Sequence, residues 1–305
     1  MNWKYAVCPI RCIALFLMLG IYPAGTVSAA APAKFDFIQK TQNGTINWTL
    51  GVLVASGTGT PPERLYDNPQ GRSIALREAT EVAREHLLIL AQQVRIDSST
   101  SLKAVADKND AILTEIKNMV KGAKTIHQAY FTDGLVTVTL QMDMYGGFSQ
   151  LALPAKIKQI ASVKPIDPAT ARYREDGVGS GVSRIDESTP RYSGLVVDAR
   201  GVGLMPSLVS EIWDENGSEV FGSAFASREF AVQYGMVRYV TDLKAAMQHP
   251  RVALKPLIVK GLKSGESCCT RTVISNSDAA KIRGAVENLM FLRKCRVIIV
   301  LNQEN

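Results

Sequence analysis

Asp198 and Arg200 are the residues best placed for chemistry in this chain. They stand two apart in Asp198-Ala199-Arg200-Gly201, at the end of an apolar run and before the Gly203-Leu204-Met205-Pro206 loop. Alternate residues of a strand share a side, so the carboxylate and the guanidinium can bind a partner's charged groups or brace each other. Other constellations are weaker. His86, His127 and His249 form no His-x3-His pair, and no glutamate completes a zinc-protease pattern. Each reads as a structural histidine. Gly57-Thr58-Gly59 is followed by Thr60-Pro61-Pro62-Glu63 and not by the Lys-Ser/Thr of a phosphate loop, so it reads as a strand-to-loop turn. No Gly-x-Ser-x-Gly elbow occurs. Cys268 or Cys269 could be paired with His249 as thiol and base, but no local signature supports it. The expectation is therefore no catalytic residue, no metal ligand and no cofactor.

The first 31 residues bear on the cysteines. Lys4 and Arg11 precede the apolar run from Cys12 to Tyr22, then Pro23 and Gly25, then the small residues Ser28-Ala29-Ala30-Ala31. This is the order of a secretory signal peptide. The apolar run is shorter than the roughly 20 residues needed to span a bilayer. Cleavage is expected after Ala29 or Ala30, since a later cut would leave Pro32 at the new start. The mature chain then lies in the periplasm or against the outer membrane, with no transmembrane segment and Cys268, Cys269 and Cys295 retained. An oxidising compartment favours one disulfide and one leftover thiol. Adjacent strand residues face opposite ways, so the expected bond is Cys269–Cys295 or else Cys268–Cys295. Three reduced thiols acting as small hydrophobes are the alternative.

Of the 305 residues, 46% are hydrophobic and 21% charged, a globular balance. The formal net charge of +7 is spread along the chain without basic runs, which argues against nucleic acid as a partner. The chain reads as an α+β protein of two α+β domains: a signal peptide over 1–30, a first module over 31–163, a linker over 164–192 and a second domain over 193–305. The linker is marked by Pro165, Pro168, Gly177, Gly179, Gly181 and Pro190.

In the first module, alternation over Asn43–Ala55 predicts one strand with Ile46, Trp48, Leu50, Val52 and Val54 on its buried face. A helix follows over 72–95 with Ala75, Ala79, Ala83, Leu87, Leu90 and Val94 inside, the alanines allowing close approach to the sheet. A second helix carries Leu102, Val105, Ile112, Leu113, Ile116 and Val120 inside, with an N-cap among 99–101 and Gly122 at a left-handed C-terminal position. Thr125–Phe131 and Leu135–Met144 form a hairpin around Asp133-Gly134, and Leu151–Ile160 a short amphipathic extension. The order is β-α-α-β-β, with the helices on one face of an antiparallel sheet.

The second domain reads as a mixed sheet with helices packed on it. Strands are expected over Gly194–Ala199, over Leu208–Asp214 and Ser218–Gly222 around Asn216-Gly217, over Pro256–Lys263 and over Cys269–Ile274. Cys295–Leu301 should be a central strand covered on both sides. Helices are expected over 228–248, with a break at Gly235, and over 277–292 with Ile282, Val286 and Leu289 inward.

The first half resembles the flagellar basal-disk outer-membrane lipoproteins of the FlgP type and the N-terminal module of periplasmic flagellar ring proteins. The likeness rests on the Ile46–Val54 segment, the alanine-striped helix, the second helix led by Ser and Thr, and Val136-Thr137-Val138-Thr139-Leu140 ending near Tyr145-Gly146-Gly147. Members of that family are short and lipidated, whereas this chain has no lipobox and has an added domain. The resemblance implies a structural part of the envelope that self-associates or docks on other periplasmic or outer-membrane proteins, and no catalytic residues. A module binding a small ligand or cell-wall fragment near Asp198 and Arg200 is the second expectation, and an extracytoplasmic hydrolase the third.

Overall fold

A computed structural model describes residues 34–66, 68–158, 190–252, 254–265 and 268–303, and only the backbone of Cys268. The expected signal peptide and nearly all of the expected linker lie outside these residues.

The first hairpin departs from the alternation of the sequence. Strand β1 (Ile38–Thr41) pairs antiparallel with β2 (Gly44–Asn47), and the chain then turns over 48–51 instead of running on as one strand. Asn47 accepts the Leu50 N–H on its side chain and the Gly51 N–H on its carbonyl, both at 2.8 Å. Gly51 takes φ +71°, which a side chain would resist. The turn shifts the pleat by one, and a one-residue shift exchanges the two faces. Strand β3 (Val52–Gly59) thus buries Leu53, Ala55, Gly57 and Gly59, while Val52 and Val54 lie half-buried on the other side. Ile46 and Trp48 are buried as expected, and Leu50 is exposed.

After a 3-10 turn (Glu63–Leu65) come helices α1 (Pro69–Gln93), α2 (Leu102–Ala106) and α3 (Asp110–Lys121). Helix α1 buries Ala75, Ala79, Ala83, Leu87 and Leu90, as the stripe predicts. Gly57 and Gly59 of β3 meet it backbone to backbone: a Cβ at Gly57 would collide with Ala79 and Ala83, and one at Gly59 with Ala75. The single second helix of the sequence reading is two. Asn109 caps α3 by accepting the Ala111 N–H at 3.1 Å, and Ser101 caps α2. Gly122 follows α3 at φ −84° and is not left-handed. Strands β4 (Lys124–Tyr130) and β5 (Val136–Asp143) form the expected hairpin. The sheet runs β1-β2-β3-β5-β4, antiparallel throughout. Helix α4 (Gly147–Ala152) follows.

The second half proceeds through β6 (Gly194–Asp198), β7 (Glu211–Asp214), β8 (Glu219–Phe221), α5 (Arg228–Tyr234), β9 (Arg238–Val240) and α6 (Leu243–Gln248). It continues with β10 (Pro256–Lys260), β11 (Lys263–Gly265), β12 (Cys268–Ile274), α7 (Asn276–Arg283), α8 (Val286–Arg293) and β13 (Val297–Val300). The expected single mixed sheet is two sheets. One is wholly parallel, in the order β10-β6-β13-β9; the other is mixed, in the order β11-β12-β7-β8. The helix expected over 228–248 is interrupted by more than Gly235. The run Val237-Arg238-Tyr239-Val240 supplies a strand beside β13, and its apolar members are buried. The last expected helix breaks at 284–285, which changes its phase: Ile282, Phe291 and Leu292 are inside, but Val286 and Leu289 are exposed. Strand β13 is central and buried along its whole length, as expected.

One face of the parallel sheet, with Val196, Ile298 and Val300, packs with Ala246 of α6 and Val252. The other face, with Leu195, Val197 and Ile299, joins a core that continues into the first module. Trp48 meets Tyr239 edge-to-face at 5.8 Å between ring centroids. Thr49 donates its hydroxyl to the Tyr239 carbonyl at 2.6 Å and accepts the Phe37 N–H at 2.7 Å. Asp36 forms a β-bridge with Val240, so the start of the first module lies against the edge of the parallel sheet. By their contacts the described residues form one compact unit. Among the described residues no helix is long and apolar enough to cross a membrane.

Candidate functional site

Asp198 closes β6 at the carboxyl edge of the parallel sheet, the edge at which open α/β sheets bind ligands. Lys260 ends the neighbouring β10. The sequence places Asp198 and Arg200 on one side, and the structure joins them to each other. Arg200 donates from Nε to Oδ1 and from Nη2 to Oδ2 of Asp198, both at 2.7 Å. This two-pronged bond, chiefly, holds the Asp198 carboxyl below its ordinary range, with Lys260 adding to it. The same bond raises Arg200. The Gly261 N–H donates to the Asp198 carbonyl at 2.8 Å, which ties the end of β10 to this corner. The pair braces the corner where the chain leaves one sheet for the other.

The cysteines do not form the expected bond. Cys269 and Cys295 are both free, so neither Cys269–Cys295 nor Cys268–Cys295 is present. The vicinal pair lies on β12 of the mixed sheet, whereas Cys295 precedes β13 of the parallel sheet. Nor does Cys295 open a strand. It sits at φ 54° after α8, its N–H bonded to the Leu292 carbonyl and the Arg296 N–H to the Phe291 carbonyl. That is the Schellman end of a helix, in the position usually held by glycine. Its thiol is fully buried, and burial pushes it up to about 12, so it is a packed thiol and not a nucleophile.

The three histidines lie on separate elements. His86 Nδ1–H donates to the Ser56 carbonyl at 2.7 Å. His127 is exposed on β4. His249 caps α6 and accepts the Arg251 N–H on Nδ1 at 3.0 Å. Among the described residues no group of three His, Cys, Asp or Glu side chains is placed to hold a metal.

Two features escaped the sequence reading. Arg251 is half-buried and directs its guanidinium at the carbonyls of Cys295 (2.7 Å), Tyr234 (2.7 Å) and Gly235 (2.5 Å). A cation there complements the negative ends of α5 and α8 together. Burial, above all, lowers it to about 10. The second feature is a cleft of about 370 Å³ at the tip of the β4–β5 hairpin, lined by Pro61, Tyr66, Arg72, Tyr130 and Phe131 among others. Tyr66, Tyr130 and Phe131 are exposed, and Arg72 stands 5.8 Å over the Tyr130 ring. Tyr66 meets the adjacent pair Tyr130-Phe131 only through the fold, and that meeting leaves no local signal.

Residues 194–303 match the family described as Treponema pallidum Tp0624, second domain. The Tp0624-like span opens with β6 and ends just past β13, so it takes in both sheets of the second half and the Asp198–Arg200 corner. No curated protein matches the chain.

Proposed function

We propose that this chain is an exported, non-enzymatic assembly component of the cell envelope, associated with the flagellar basal body or outer membrane, and that it assembles by pairing with further copies of itself along β4. The observation that carries this reading is the outer edge of the five-stranded sheet. Among the described residues strand β4 bonds β5 on one side only; it is seven residues long and exposes most of its side chains. Proteins usually blunt such an edge with charge, proline or a covering element. Here the only full charge along the strand is Lys124 at its start, and one bulge, between Thr125 and His127, interrupts the strand near that same end. Antiparallel pairing of two copies about His127 sets Lys124 of one opposite Tyr130 of the other. Along the two paired strands no like charges face each other. The Asp198–Arg200 pair, spent on itself, supports the small-ligand reading less.

Sedimentation of the mature protein tests the reading. A dimer or larger species is expected, and the double variant His127→Lys/Ala129→Lys should be monomeric, because like charges then meet across the new pair. Wild-type protein that stays monomeric at every concentration overturns self-pairing. Mass spectrometry of the exported protein should find its start at Ala30 or Ala31; an intact Met1 or a lipid-modified cysteine overturns the soluble exported form.

A further inference from the structure

We propose that Arg238 and His249 form a binding site for one oxyanion group, a phosphate, a sulfate or a carboxylate. Arg238 opens β9, and His249 caps the C-terminus of α6. Arg238 shares a strand side with Val240, and Val240 packs with Ala246 of α6, so both residues lie on the α6 side of the parallel sheet. The ring of His249 accepts the Arg251 N–H on Nδ1 at 3.0 Å. A neutral imidazole with an occupied Nδ1 carries its proton on Nε2. That Nε2 faces Arg238 Nη1 at 3.5 Å, so a donor points at a donor. Arg238 Nε is buried and has no hydrogen-bond partner among the described residues. Buried donors are nearly always satisfied, and an unsatisfied one is costly. What Nη1 and the ring N–H lack is an acceptor set between them, while Nε–H points to the other side of the guanidinium, beside Nη2. A guanidinium fork matches the paired oxygens of a carboxylate or phosphate, and the imidazole N–H adds a third contact.

The charges that His249 feels are Arg238 and Arg251, both cationic; with burial as the larger cause, they lower its pKa to about 4. Arg251 is engaged by its three carbonyls and leaves the ligand to Arg238 and His249. Tyr145, just past the end of β5, and Cys295 are the other titratable groups that act on Arg251 besides Arg238. Arg238 and His249 are each half-buried, so an ion reaches them from solvent.

Nuclear magnetic resonance of the three histidine rings tests the site on the mature protein at neutral pH. Inorganic phosphate, sulfate and acetate are added separately against chloride at equal ionic strength. The His249 resonances should move and saturate in the millimolar range, while those of His86 and His127 follow the chloride control. Saturation by phosphate and sulfate alone assigns a tetrahedral ion, and saturation by acetate alone assigns a carboxylate. Arg238→Gln should weaken the effect at least about tenfold, and Arg238→Lys should restore part of it. The wild-type melting temperature, which needs no variant, should rise with the binding anion relative to chloride. If His249 follows the chloride control with all three anions, or if Arg238→Gln saturates as wild type does, the site does not exist.

Discussion

Single side chains carry more than their local share of this structure. Trp48 packs its ring on Tyr239 across the two modules. Trp48→Ala should therefore destabilise the folded chain by about 3–5 kcal/mol, whereas Leu50→Ala, at an exposed turn position, should change little; urea unfolding measures both. His249 gives the molecule a pH dependence. Its folded pKa of about 4 lies below the ordinary 6.5, so the unfolded chain binds the proton more readily. The stability it contributes is full above the ordinary value and declines as the pH falls from about 6.5 towards 4. His249→Gln should flatten that part of the stability profile. The thiols supply a third test. In unfolded, unreduced protein Cys269 and Cys295 should both react with a thiol reagent, and in native protein Cys269 should react while Cys295 stays protected.

At the level of elements, the alanine stripe was the most legible part of the sequence, because small residues at helical spacing have one physical use, close approach. The glycines facing it in β3 were read only as a turn, since nothing local says that a helix backbone lies on them. Gly57→Ala should place a methyl group against the backbone of Ala79 and Ala83, and Ala79→Leu should overpack the same seam by about 1–3 kcal/mol. Both should lower the melting temperature. Elements were misread where a turn or cap interrupts a continuous apolar pattern. The Asn47 turn splits one apparent strand, the Asn109 cap splits one apparent helix, and β9 sits inside another. Periodicity reports which residues are buried, and does so well here, but burial in a helix and burial in a short strand look alike over four residues. The partner relations failed for a related reason. The pairing of Asp198 with Arg200 is local and could be weighed from their spacing, while Cys269 and Cys295 are placed by two different sheets whose separation leaves no mark on the intervening chain.

For the whole molecule, the shared core predicts one cooperative unfolding transition. Fluorescence, which follows Trp48 and Trp213 in the two halves, and circular dichroism should report the same midpoint in urea; separated midpoints would mean that the halves melt independently. The described ends of the chain are also tied. Gln303 accepts the Ile38 N–H at 3.1 Å and donates to the Ile38 carbonyl at 2.6 Å, across nearly the full length of the sequence. Phe35, moreover, accepts from Thr241 at 3.0 Å. A chain emerges from its N-terminus, so the first strand is available long before the residues that hold its outer edge exist. Contacts of such long separation are slow to form. The Ile38 end of the opening hairpin must therefore wait, unbonded, until Gln303 has been made, and that interval leaves the nascent chain open to capture by a chaperone or by another chain.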